Sequence, residues 1–103
     1  MKAKEALRLI EDELELAMSK HEPFNSPHEA YAVILEEMDE LWEEVKANNG
    51  TTHRGVSEAV QIGAMAARYL ADLCEQDAAD QHEKKVERYV HADYGTSFGG
   101  YSG

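Results

Sequence analysis

Apolar residues recur along most of the chain at three- and four-residue steps, the period of a helix face rather than of a strand. Between Ala3 and Ser19, Leu7, Ile10, Leu14 and Met18 share one face of a predicted first helix. Leu9 and Leu16 form a short second stripe on its opposite side. The pattern stops at His21 to Pro27, a break that carries both prolines of the chain. Ser26 then offers an N-cap, Pro27 suits a first helical turn, and Glu29 follows Ser26 at capping-box spacing. The second helix continues to about Ala47, with Tyr31, Ile34, Leu35, Met38, Leu41, Trp42 and Val45 as its apolar face.

Asn48 to Gly55, with Asn-Asn-Gly and Thr-Thr, reads as a loop. A third helix begins near His53 to Ser57 and extends at least to Cys74. It is apolar around nearly its whole circumference, the mark of a central or interface helix. Glu75 to Ala92 reads as a fourth helix or a continuation, with a possible break near Asp77 to Asp80. Residues 93–103, rich in Gly, Ser and Tyr, read as a flexible tail. The predicted fold is therefore all-α, one bundle domain of about four helices over residues 1–92, with no internal repeat.

The 103 residues suffice for one compact domain, and so short a helical layer leaves apolar faces for other copies to cover. A net charge of −11, from 21 acidic and 10 basic side chains, argues against direct contact with nucleic acid or an anionic membrane. Nucleotides remain open, because divalent cations can sit between carboxylates and phosphate oxygens. Cys74 is the single cysteine, so one chain builds neither a disulfide nor a cysteine zinc site, and a buried apolar thiol is expected. With no signal-like or membrane-spanning apolar run, a cytoplasmic protein is the default expectation.

The acidic run Glu36-Glu37-Met38-Asp39-Glu40, continued by Glu43 and Glu44, is the first candidate for chemistry. At helical spacing Glu36, Glu37 and Glu40 can converge on one cation, although acidic runs also occur as plain solvated faces. Glu36 and Glu43 lie opposite the apolar stripe, whereas Glu37 and Glu40 share a flank with Ala30 and Val33. On the third helix, Glu58 and Gln61 project to the side of Ile62, Met65 and Tyr69, where an unpaired carboxylate is costly. Ala59, Gly63, Ala64 and Ala67 would let a neighbouring helix approach closely. If that neighbour is the second helix, Glu58 meets Glu37 and Glu40, and the repulsion calls for a cation. The alternatives are an exposed Glu58 favoured by the helix dipole and a hydrogen-bonded core amide for Gln61. Arg68 can pair with Asp72, four residues on, or hold a phosphate. Lys46 and Arg54 are further phosphate candidates. Phe24, Tyr31 and Trp42 could line a base pocket, with core packing the expected fate of Tyr31 and Trp42.

The stretch from Ser26 to Lys46, followed after a loop by Ser57 to Leu73, resembles the MazG-like branch of the all-alpha nucleoside triphosphate pyrophosphatases. That family's signature is E-E-x-x-E and then E-x-x-D. Here Glu36, Glu37 and Glu40 complete the first half, and Glu58 begins the second, with Gln61 in place of the aspartate. The resemblance implies a helical bundle completed as a homodimer or homotetramer. It also implies hydrolysis of a nucleoside or deoxynucleoside triphosphate to monophosphate and pyrophosphate with magnesium, or manganese in its place. Glu37, Glu40, Glu58 and Gln61 would be the metal ligands, and Glu36 a ligand or the residue that orients the attacking water. An amide oxygen at position 61 can coordinate magnesium but removes one negative charge. A non-catalytic helical oligomer of the same fold, binding metal or nucleotide as a regulatory or accessory protein, is the alternative. A di-iron carboxylate site is disfavoured because no Glu or Asp has a His three residues later, and the His-Glu-x-x-His motif is absent.

Overall fold

The computed structural model describes the backbone of residues 1–93 and the side chains of residues 1–90. Four helices account for nearly all of it: α1 (Ala3–Lys20), α2 (Pro27–Lys46), α3 (His53–Leu73) and α4 (Gln76–Asp93), with no strand among the described residues. None of these helices is long and apolar enough to cross a membrane. The expected tail, apart from Asp93 at the end of α4, lies outside the described residues.

The signals that start and stop the helices act as their chemistry dictates. Ser26 Oγ accepts from the Glu29 N–H at 3.1 Å, and the Glu29 carboxylate reaches back to the Asn25 N–H at 2.9 Å, one residue earlier than in a standard capping box. Asn48 takes the left-handed conformation that ends the α2 segment, a geometry asparagine tolerates better than most side chains. Thr52 then caps α3, its Oγ1 accepting from the Arg54 N–H at 3.3 Å. The break before α4 falls at Cys74 and Glu75, earlier than the Asp77 to Asp80 expected from sequence. Cys74 turns extended, while the Glu75 carbonyl already accepts from the Ala78 and Ala79 N–H groups, so Asp77 to Asp80 lie within helix. At this exit the Cys74 thiol is exposed, not buried as expected.

Helix α3 is the centre, with α1 on one side and α2 on the other. The core is Ala17, Phe24, Ala30, Ala64 and Met65, with Leu14, Val33, Ile34, Tyr69 and Leu73 packed around it. Small residues set the helix spacing. A Cβ on Gly63 would stand 2.6 Å from Ile10 Cδ1, which shows how closely α1 approaches α3.

Helix α2 differs from the expectation. It meets α3 along Ala30, Val33, Glu37 and Leu41, about 100° round the helix from the stripe of largest apolar side chains. Tyr31, Leu35, Met38, Trp42 and Val45 are therefore exposed, and Tyr31 and Trp42 are not core residues. The reason is the wholly buried pair Ala30 and Ala64, whose size admits an approach that the bulky stripe would prevent. On α1, likewise, Ile10 and Leu14 are partly covered while Leu7 and Met18 remain exposed. Among the described residues α4 packs against none of the other helices.

Candidate metal centre

Along α2, Glu37 and Glu40 are one turn apart on the flank turned to α3, and Glu58 stands in the second turn of α3 opposite them. The register of that turn depends on Gly55. Its N–H donates to the Asn49 carbonyl at 3.2 Å, and a Cβ there would sit 1.8 Å from the Gly50 carbonyl oxygen. We expect Gly55→Ala to displace the start of α3 and to destabilise the fold by about 3 kcal/mol. A urea titration checks this, with unchanged stability the contrary result.

One carboxylate oxygen each from Glu37, Glu40 and Glu58 lies within 4.8 Å of the others. Glu37 and Glu58 are half-buried and Glu40 is exposed. No basic side chain forms an ion pair with any of the three among the described residues. Burial pushes the Glu37 carboxyl up to about 7, and the charges and hydrogen bonds of Glu40 and Glu58 add to the rise. The Glu58 carboxyl is raised too, by burial first and then by Glu40, with Glu44 contributing. Burial and the neighbouring carboxylates thus favour the protonated forms of Glu37 and Glu58.

The donor set fits a small hard dication. Magnesium takes oxygen ligands and keeps several waters, and adjacent oxygens in its octahedron stand about 3 Å apart.

Beside the cluster runs a groove of about 550 Å³ between α1, the α1–α2 connection and α3, with Glu37 and Gln61 in its wall. That volume is within the range of small-molecule sites. Glu13 and Lys20 of α1 and His21 and Asn25 of the connection also line it. The connection is non-helical yet pinned. Arg68 Nη2 donates to the Glu22 carbonyl at 3.1 Å, and the Phe24 N–H donates to Asp72 Oδ2 at 3.0 Å.

The structure thus brings Glu37, Glu40 and Glu58 together and sets Gln61, half-buried, in the adjoining groove. Glu36 is exposed and outside the group. Lys46 pairs with Glu43 at 2.7 Å and lies 5.7 Å over the Trp42 ring, on the side of α2 away from the cluster. Arg54 has an exposed side chain at the start of α3. Arg68 lines the groove but is engaged: it stands 3.8 Å from Asp72, and its guanidinium covers the Phe24 ring at 4.0 Å. Phe24 is buried beneath it.

Glu44 was read only as part of the acidic run; it is half-buried, and its heptad relation to Glu37 was the available signal. Of the groove residues on α1 and the connection, Leu16 and Phe24 were apolar candidates from sequence, whereas Glu13, Lys20, His21 and Asn25 carried no spacing signal. Comparison with family models, curated proteins and solved structures finds no match to this chain.

Proposed function

We propose that this chain is a magnesium-dependent nucleoside triphosphate pyrophosphohydrolase of MazG-like type, working as a homodimer or homotetramer. The single observation that carries the reading is the convergence of Glu37, Glu40 and Glu58 from two helices, without a basic partner, beside a nucleotide-sized groove. Acids arranged this way are destabilised until a dication joins them, so the fold is prepared for one.

Bound there, magnesium supplies positive charge against a triphosphate and lowers the pKa of water. Glu37, Glu40 and Glu58 would hold it, and the Gln61 amide oxygen would complete the set or accept from a water. The groove receives the nucleoside and fixes the direction of the triphosphate, with Lys20 as a cation in its lining. In-line attack by water at the α-phosphorus forms one P–O bond and breaks the bond to the bridging oxygen, giving monophosphate and pyrophosphate. The reaction asks mainly for positioning and charge stabilisation. Glu36, exposed and one turn before Glu40, would orient that water only from the Glu40 side of the cluster.

A second reading keeps the cation and nucleotide but not the hydrolysis, and Gln61 favours it by lowering the charge of the site. A pyrophosphate-release assay over canonical and modified nucleotides, with magnesium or manganese, separates the two. We expect release from wild type and none from Glu37→Ala. Silence from wild type with every nucleotide, together with activity gained in Gln61→Asp, would establish the non-enzymatic reading instead.

A further inference from the structure

We propose that Glu13 selects the base of a nucleotide bound in the groove, and that this base is guanine. The inference rests on reading the groove as a nucleotide site, which the hydrolytic and the non-catalytic readings share. Four carboxylates line the groove, those of Glu13, Glu22, Glu29 and Glu37. Three of them have other surroundings to satisfy them. Glu37 belongs to the metal cluster, and Glu22 is exposed to water. Both oxygens of Glu29 accept from Asn25, one from its N–H at 2.9 Å and one from Nδ2 at 3.3 Å. Glu13 is the remaining one. It is half-buried and, among the described residues, has neither a hydrogen bond nor an ion pair.

The packing of α1 puts Glu13 in that wall. Ile10, three residues before it, lies against α3 at Gly63, and Ala17, four residues after it, is buried. Residues at these spacings share one side of a helix, so Glu13 sits on the flank of α1 turned to the groove. Leu16, Val33 and Met65 line the same groove and give a flat ring apolar surface. The phosphates follow the cation held at Glu37, which leaves the rest of the groove to the nucleoside. A half-buried carboxylate calls for N–H donors, and its two oxygens suit two donors side by side. Of the common bases, guanine alone offers that pair on one edge, N1–H beside the 2-amino group. Adenine and cytosine set a ring acceptor beside the amino group, and uracil and thymine set one N–H between two carbonyl oxygens. Each of these would turn a lone pair toward one oxygen of Glu13, and a site built for paired donors rejects such a ligand. Asn25 strengthens the bias, because Glu29 occupies its Nδ2 and leaves Oδ1 as a further acceptor.

The test is calorimetric binding of α,β-methylene nucleoside triphosphates, which cannot release pyrophosphate, to the full chain with magnesium. Guanosine and inosine differ only by the 2-amino group. Wild type is expected to bind the guanosine analogue about 10- to 100-fold more tightly than the inosine analogue, the worth of a hydrogen bond to a charged acceptor. Glu13→Gln should lose that margin and prefer the xanthosine analogue, whose 2-oxygen accepts from the new amide. A preference gained in this way also shows that the variant folds. Equal binding of guanosine and inosine by wild type, or tighter binding of any other base, would overturn the assignment and leave the nucleotide site standing. So would a Glu13→Gln protein that keeps the guanosine preference. Binding of no analogue by wild type would remove the nucleotide site, and this inference with it. The wild-type comparison requires no variant to fold.

Discussion

Glu58→Gln is expected to abolish the stabilisation of this protein by magnesium while making the metal-free protein more stable. The two effects have one cause. Glu58 faces Glu37 and Glu40 with no basic side chain to offset them, and its carboxyl is raised above the ordinary range by burial first and then by Glu40. A neutral amide removes repulsion from the empty cluster, so melting without metal should shift upward by a few degrees. The same amide takes a negative ligand from the dication, and pyrophosphate release should fall on the order of 10²- to 10³-fold. Thermal melting with and without magnesium measures both arms. If magnesium stabilises the variant as much as wild type, the cluster does not hold the ion.

Acidity should act in the same direction as that substitution. Glu37 titrates near 7 in the folded chain against an ordinary 4.5. Between those values the unfolded chain has released its proton and the folded chain still holds it, so through this group stability falls as pH rises and the loss is complete above about 7. Magnesium needs the ionised form. Its stabilising effect should accordingly be small at pH 6 and large at pH 8, and an effect independent of pH would contradict the assignment.

The largest loss of stability is expected from Asp72→Ala. The Arg68 and Asp72 side chains are each 6% exposed, and Asp72 Oδ2 accepts the Phe24 N–H at 3.0 Å while facing Arg68 Nε at 3.8 Å. Removing the carboxylate leaves a buried guanidinium without its counter-ion and the Phe24 amide without its acceptor, a loss of roughly 3–5 kcal/mol. Asp72→Asn retains an acceptor for the amide and should cost less. Chemical denaturation gives the answer. A change below about 1 kcal/mol for Asp72→Ala would mean that water reaches the pair.

What the sequence revealed and concealed follows from the range of the interactions. The helices were legible because Ser26, Pro27 and Glu29 act within one turn and apolar periodicity needs no tertiary partner. The meeting of Glu58 with Glu37 and Glu40 was legible because a carboxylate on an apolar helix demands compensation, and the small residues of α3 indicated close approach. The face of α2 that would be covered was not legible. Apolar content pointed to the stripe from Tyr31 to Val45, but Ala30 and Ala64 decided the packing by their small volume, which periodicity does not weigh. Arg68 had two plausible partners, and the choice rested on the Glu22 carbonyl, 46 residues away in sequence.

The isolation of α4 bears on how unfolding of this protein would be read. Among the described residues this 18-residue helix packs on no other helix, and helices that rest largely on their own hydrogen bonds are marginal in water. Its amides should exchange with solvent long before those of α3, and its ellipticity should fade over a broad range of temperature. A two-state fit to total helical signal would blend that gradual melting with the cooperative collapse of the other three helices, whereas protection of the α3 amides follows the collapse.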